Sequence, residues 1–280
     1  MKILITGANG YIGRHVVQYL LNNTEHTIVA VGKKNISFDN KRVTYIQRDI
    51  FEEGLDVYNE FQRPDTVIHL AWENGFNHQD PIHIKNLPKH FLFLKKLIDS
   101  GIISINVIGT MHEVGYHIGK VSEDTRCEPR SLYGISKNAL KQSIFAYAHN
   151  KKINIKWLRA YYIVGDDLHN NSIFTHILNS AKQGKKLFPF TQGNNKYDFI
   201  NIYELAKQIS LSSLQNNING IIEVCSGQPI SLKEKVNLFI KENNLNLELD
   251  YGAFPERPYD SPEIYGDNAK IKSILENYTE

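Results

Sequence analysis

The sequence predicts an α/β fold: a doubly wound parallel sheet with a smaller C-terminal lobe. Three observations predict it. An apolar stretch, Lys2-Ile-Leu-Ile-Thr6, leads into a glycine turn, Gly7-Ala-Asn-Gly10-Tyr-Ile-Gly13, and then into an amphipathic stretch ending at Leu21. Short β-like segments and longer helical ones then alternate through the first half of the chain. No internal repeat or low-complexity tract breaks that rhythm.

The elements follow in order. After the first strand and helix, residues 27–33 and 43–49 read as strands. Residues 51–62 read as a helix, stopped by Pro64. Residues 65–71, Asp-Thr-Val-Ile-His-Leu-Ala, read as a buried parallel strand. Residues 81–100 predict a long helix that ends at Gly101 and kinks at Pro88. A strand over 105–110, a helix over 131–150 and a strand over 154–160 complete this half. Beyond about residue 163 the rhythm weakens. Residues 172–184 and 202–214 look helical, 220–226 looks like a strand, and 231–243 is a helix opened by a Ser cap. Residues 252–266, rich in Pro, Gly and aromatics, predict an ordered loop.

Composition excludes several function classes. The chain has 280 residues, 41% of them hydrophobic, and a net charge of +2, which suits a globular protein with a large core. The histidines are scattered, and no basic block points to nucleic acid. Cys127 and Cys225 stand far apart in no metal-ligand spacing, so they read as reduced thiols and no metal centre is expected. With no charged leader and no apolar run long enough for a bilayer, a cytoplasmic protein without a membrane partner is expected.

The glycine turn carries the first chemistry. Glycines at a strand exit let a pyrophosphate approach the backbone, and the helix behind offers free N–H groups with a partial positive charge. Gly7, Asn9, Gly10, Tyr11, Ile12 and Gly13 are the expected cradle of a dinucleotide, on a Rossmann-type sheet. Residues 1–162 are then the NAD(P)-binding domain, and residues 163–280 a substrate lobe partly interleaved with the main sheet. About twenty positions past the turn, an acid would bind a ribose hydroxyl and a cation a 2′-phosphate. The chain has Gly32-Lys33-Lys34 there, which favours NADP(H) through Lys33 and leaves NAD(H) open.

The second carrier is Tyr133-Gly-Ile-Ser-Lys137. Four residues apart on a helix, the phenol and the ammonium share a face, and a nearby cation lowers a phenol's pKa. In a parallel sheet, ligands bind at the strands' carboxyl ends. Those ends include Asp49 and Ile50, where Asp49 either accepts from an adenine amino group or caps the helix expected from Phe51 onward. Leu70 and Ala71 leave room for a ring, and Trp72 either walls the nicotinamide pocket or packs in the core. Thr110 ends the strand beside the Tyr133 helix, where it either donates to a substrate oxygen or caps the next turn.

Taken together, Thr6-Gly7-Ala-Asn-Gly10-Tyr-Ile-Gly13, Asp49-Ile50, His69-Leu-Ala71, Thr110, Tyr133-x-x-x-Lys137 and Lys196-Tyr-Asp-Phe-Ile200 resemble the extended short-chain dehydrogenases/reductases, the NAD-dependent epimerase/dehydratase family. The resemblance implies that Tyr133 is the acid/base, that Lys137 binds the nicotinamide ribose and lowers the Tyr133 pKa, and that Thr110 holds a substrate carbonyl. It implies a nucleotide-sugar substrate, and a homodimer through the helix of Tyr133 is common in the family.

Thr110-Met-His-Glu113-Val-Gly115 and the stretch around Arg257 look most like reductases of deoxythymidine-diphosphate 4-keto-6-deoxyhexoses. Met111-His112 stands where dehydratases carry Asp-Glu, which argues against dehydration. Arg257 and Lys196 are candidates for the diphosphate, Glu113 for a sugar hydroxyl or the cap of a turn, and His112 and His169 for extra proton donors. The expected reaction is NAD(P)H-dependent reduction of a C4 ketone. The alternatives are an epimerase that retains NAD and a non-catalytic NADP-binding sensor.

Overall fold

The computed structural model describes residues 1–34, 36–165, 170–256 and 260–278. In chain order the first elements are β1 (Lys2–Thr6), α1 (Tyr11–Asn23), β2 (Thr27–Gly32), β3 (Val43–Gln47), α2 (Val57–Glu60), β4 (Thr66–His69), α3 (Ile82–Asp99) and β5 (Ser104–Thr110). A short 3₁₀ turn, Met111–Glu113, follows. Next come β6 (Gly119–Val121), α4 (Leu132–Ala148), β7 (Asn154–Ala160), β8 (Tyr162–Val164), α5 (Ile173–Lys182), β9 (Leu187–Phe190), β10 (Lys196–Asn201) and α6 (Ile202–Ser213). The last are β11 (Gly220–Val224), β12 (Pro229–Ser231), α7 (Leu232–Glu242), β13 (Glu248–Tyr251), β14 (Glu263–Gly266) and α8 (Ala269–Glu276).

The main sheet has the order β11-β7-β5-β4-β1-β2-β3, and every pairing in it is parallel. β4 and β5 are buried along their whole length, as expected of strands covered on both faces. The apolar stripe of α1, Val16, Val17 and Leu20, packs with α6 and α8 on one face. Phe93, Leu94 and Leu97 of α3 meet Leu140 and Ile144 of α4 on the other. Ser131 caps α4 by accepting from the Gly134 N–H at 3.1 Å. β1 and β4 therefore deliver their carboxyl ends side by side, and β5 delivers Thr110 next to them.

Two expected elements change. The helix expected over 51–62 is reduced to Val57–Glu60. Gly54 stands at φ +74°, which an α-helix cannot contain, and the Asp56 side chain starts the helix late by accepting from the Asn59 N–H at 3.2 Å. The loop expected over 252–266 yields a strand, β14, lying between β10 and β6 in the small sheet β12-β10-β14-β6. Its Ile264 is fully buried in the third core cluster with Phe174, Phe199 and Phe239. That burial draws the segment into the sheet despite its turn-forming composition.

One carboxylate anchors the small sheet. Buried Asp198 of β10 accepts from the Ser226 N–H at 2.8 Å, the Ser226 hydroxyl at 2.6 Å, the Gly227 N–H at 2.8 Å and the Gly266 N–H at 3.2 Å. It joins the exit of β11 to the end of β14. Hydrogen bonds to a charged group contribute about 1.5–3 kcal/mol each. Asp198→Ala is expected to lower unfolding free energy by at least ~3 kcal/mol in urea titration.

At the opposite end of the main sheet Lys156 is wholly buried, donating to Ser104 Oγ at 3.1 Å and Asn216 Oδ1 at 3.4 Å. Burial lowers its pKa to about 8, against ~10.4 in an unfolded chain. Between those values the unfolded chain holds a proton the folded chain lacks, so Lys156 makes stability rise with pH across that window. Lys156→Met should therefore stabilise the fold most near pH 7 and least above pH ~10.4, read as melting temperature against pH.

Candidate active site

The glycine turn lies where β1 and β4 emerge together. Gly7 has φ +68°, and a Cβ there would come within 2.7 Å of the Ala71 backbone nitrogen. The turn closes with the Gly10 N–H donating to the Gly7 carbonyl at 2.9 Å. α1 then starts with no side-chain cap and no acidic residue in its first turn. Its leading N–H groups thus keep their positive end for an anion, which fits a dinucleotide's pyrophosphate. Asn9, Tyr11, Ile12 and Gly13 belong to this turn, and Leu70 and Ala71 form its neighbouring wall. Ile50 is buried in the core beside it.

Lys33 has a different task from the one expected. Its Nζ pairs with Glu73 Oε1 at 2.7 Å and Asp49 Oδ2 at 3.2 Å. Glu73 also accepts from the Asn86 amide at 2.7 Å. Asp49 caps the following turn by accepting from the Phe51 N–H at 3.0 Å, the blander of its two expected roles, with a turn in place of the expected helix. One lysine is therefore matched by two carboxylates, a poor setting for a 2′-phosphate and a good one for ribose hydroxyls. The preference for NADP read from Lys33 finds no support here.

Thr110, Tyr133 and Lys137 do converge. Thr110 lies close enough to the Tyr133 phenol to favour its ionised form, while its hydroxyl accepts from the His112 N–H at 3.3 Å and caps the turn after β5. Lys137 Nζ lies 6.0 Å from the Tyr133 ring centre, donates to the Ile108 carbonyl at 2.8 Å and stands 3.9 Å above the Trp72 ring. The electrostatics differ from the expectation that Lys137 lowers the Tyr133 pKa. Burial raises the Tyr133 pKa, with the nearby Thr110 pulling only partly back. Burial also lowers Lys137 to about 7, which Glu113 opposes. Desolvation outweighs the phenol–ammonium attraction in this pair.

Of the two roles expected of Glu113, a sugar contact and a turn cap, the structure shows the cap and buries the residue completely. Its Oε1 accepts from the Thr110 N–H and the Trp157 indole, both at 2.7 Å. Its Oε2 pairs with Lys141 at 3.3 Å and Arg159 at 3.6 Å. Arg159 in turn holds Glu223 at 2.6 Å, and the Tyr161 hydroxyl donates to Glu223 at 2.9 Å. Glu113 thus seats Thr110 rather than substrate.

Five histidines gather at this site, although the sequence shows them scattered. The His78 ring stacks on Tyr133 at 5.2 Å and lies 4.1 Å from His112. His83 holds the edge of Trp72, His90 stacks on its ring, and His69 lies behind His90. The missed signal is on α3: His83, Asn86 and His90 are spaced i, i+3, i+7 and all are buried, a polar stripe where a core stripe belongs. Among the described residues no three His, Cys, Asp or Glu side chains form a metal-binding group.

An open cleft of ≈ 470 Å³ lies beyond Tyr133, lined among others by His78, His112, Arg130, Tyr162, Tyr197 and Asp260. Of these only His112 was expected. Tyr197 faces the cleft, so its neighbour Lys196 points to the other side of β10 and pairs with Glu263 at 3.6 Å. That removes Lys196 from the expected substrate contacts. Arg257 and His169 lie outside the described residues. No helix among the described residues is long and apolar enough to cross a membrane.

Glu113→Gln keeps the side chain's shape but leaves Lys141 and Arg159 without their shared carboxylate. Breaking a buried pair costs about 3–5 kcal/mol. The variant is expected to lose stability of that order by denaturant titration. Its kcat should fall more than its KM rises, because Thr110 shifts while the cleft is intact.

Comparison with known proteins agrees with this geometry. Residues 3–225 match the family described as "NAD dependent epimerase/dehydratase family". The chain is 44% identical over 274 residues to "dTDP-6-deoxy-L-talose 4-dehydrogenase (NAD(+))" of Aggregatibacter actinomycetemcomitans, covering 95% of this chain and 99% of that protein. Its fold is shared with MoeE5 in complex with UDP-glucuronic acid and NAD, at TM-score 0.84 and 21% identity over 99% of this chain and 93% of that one. The UDP-glucose 4-epimerase of Thermus thermophilus in complex with NAD shares it at TM-score 0.82 and 20% identity, over 98% and 92%. With the glycine turn, the Thr110–Tyr133–Lys137 group and these matches, the chain belongs to the NAD dependent epimerase/dehydratase family.

Proposed function

We propose that this protein is a nucleotide-sugar 4-oxidoreductase that reduces the C4 ketone of a 4-keto-6-deoxyhexose linked to deoxythymidine diphosphate, with NAD(H) as its cofactor. One observation carries the reading: the ring of Tyr133 meets Trp72, beside the wall of the glycine turn, on one side and His78 and His112, which line the cleft, on the other, with Thr110 near its phenol. The 44% identical relative named as a dTDP-6-deoxy-L-talose 4-dehydrogenase supports the substrate class.

The glycine turn and the Lys33–Asp49–Glu73 group would hold the dinucleotide, which when bound would supply or take up the hydride. The chain's own groups manage the proton. As a ketone becomes an alkoxide, Tyr133 delivers a proton to the oxygen and Thr110 stabilises the growing charge. Burial keeps the phenol protonated at neutral pH, which suits proton donation and hence reduction. The reverse oxidation uses the same residues and requires phenolate. Pairing of Lys33 with two carboxylates favours NAD(H) over NADP(H).

The test is purified protein with NADH or NADPH and deoxythymidine-diphosphate 4-keto-6-deoxyhexoses of the D-xylo and L-lyxo series. Oxidation of NADH, with NADPH at least about tenfold poorer in kcat/KM, is the expected result; that ratio is worth ~1.4 kcal/mol. Tyr133→Phe should lower kcat by about 10²–10⁴-fold. Consumption of neither cofactor with either ketosugar removes the reading. Tightly retained NAD with sugar epimerisation and no net cofactor turnover would replace it with a 4-epimerase.

A further inference from the structure

We propose that Trp72 is a positioning residue: held at its edge by His83 and stacked on His90, its indole face carries the Lys137 ammonium and sets where that lysine stands beside Tyr133. The part of this proposal that concerns turnover rests on the oxidoreductase reading above; the part that concerns Lys137 does not.

The indole is held by hydrogen bonds as well as stacking. The His90 ring lies 4.3 Å from Trp72 at 16° and the His83 ring 6.2 Å from it at 19°. The Trp72 Nε1–H donates to His83 Nδ1 at 3.0 Å. An indole nitrogen can only donate, so His83 Nδ1 accepts. His83 Nε2 then carries the ring's proton and donates to the Asn77 carbonyl at 2.8 Å. On the other side His90 Nδ1 lies 2.9 Å from His69 Nε2, and His69 Nδ1 lies 2.8 Å from Thr6 Oγ1. Thr6 precedes the glycine turn. The indole is therefore fixed to β1, to β4 and to two turns of α3.

Lys137 uses that fixed face. Its Nζ stands 3.9 Å from the Trp72 ring centre, within reach of a cation–π attraction, and it donates once to the Ile108 carbonyl. Among the described residues no carboxylate lies within 4.0 Å of it. The charged and titratable groups around it are Tyr133 on its own helix, Glu113 from the turn after β5, His69 from β4 and His90 from α3. Burial holds both histidines well below their ordinary pKa, so they are neutral at pH 7 and leave the Ile108 carbonyl and the indole face as the groups in contact with the cation. The geometry makes Trp72 more than a pocket wall. It takes the place an ion-pair partner would otherwise fill.

The experiment follows the Lys137 ammonium directly. Protein labelled with carbon-13 at lysine Cε is titrated by NMR, with the Lys137 signal identified by its loss in Lys137→Met. In Trp72→Leu the Lys137 titration is expected to move down by roughly 0.5–1 pH unit from its value near 7, and in Trp72→Phe by less. The basic limb of kcat against pH should move with it, and kcat near neutral pH should fall about tenfold while KM stays within about twofold. His83→Phe, which keeps a ring but loses the indole's acceptor, should move the titration in the same direction. An unmoved Lys137 titration in Trp72→Leu overturns the proposal, even if activity falls. Should the Leu variant not fold, an unmoved titration in both Trp72→Phe and His83→Phe overturns it equally. A moved titration in a protein that reduces no ketosugar upholds the positioning role and sinks only the substrate reading.

Discussion

The site hangs on one buried carboxylate. Glu113 accepts from the backbone of Thr110 and pairs with Lys141 of the helix that carries Tyr133 and Lys137. Through Arg159 it reaches β7, and through Glu223 it reaches β11 at the sheet's edge. Arg159 also donates to the Ser122 carbonyl just past β6, at the edge of the small sheet. The main sheet, α4 and the small sheet thus share one cluster. Taking four ionisable groups out of water costs several kcal/mol per ion, so their mutual attraction does little more than offset burial. Burial even pushes Glu223 up to about 7 against the pull of Arg159. The consequence is geometric: Thr110 and the start of α4 cannot shift independently.

The same desolvation shapes the chemistry above that cluster. It raises Tyr133, lowers Lys137 and keeps His69 and His90 neutral. A phenol that stays protonated beside a threonine is suited to the proton donation that the proposed ketone reduction requires. Neutral imidazoles beneath Trp72 add rigidity without adding a competing positive charge. The polar stripe His83–Asn86–His90 therefore has two uses. Its histidines hold the indole, and Asn86 steadies Glu73 in the group that faces the cofactor's expected ribose.

Much of the fold was legible because its signals are local. A glycine turn between an apolar strand and an amphipathic helix can be read within a dozen residues, and the β/α alternation repeats it. The helix over 51–62 failed because Gly54 takes a left-handed backbone that composition does not announce. The loop over 252–266 hid β14, since only pairing with β10 and β6 and the burial of Ile264 make that segment a strand. Glu113 and Lys196 read as polar residues near a site. Which way each points was decided by partners far along the chain, Trp157 and Arg159 for one and Glu263 for the other.

By itself the sequence determined the doubly wound sheet, the glycine turn and the meeting of Thr110, Tyr133 and Lys137, because each depends on a short spacing read against a repeating pattern. The tertiary structure alone decided what surrounds them. It drew His69, His78, His83, His90 and His112 together from segments up to 43 positions apart along the chain, turned Lys33 to two carboxylates and sealed Glu113 from solvent. Charge states and contacts of this kind depend on burial and on distant partners. No spacing along the chain encodes either of them.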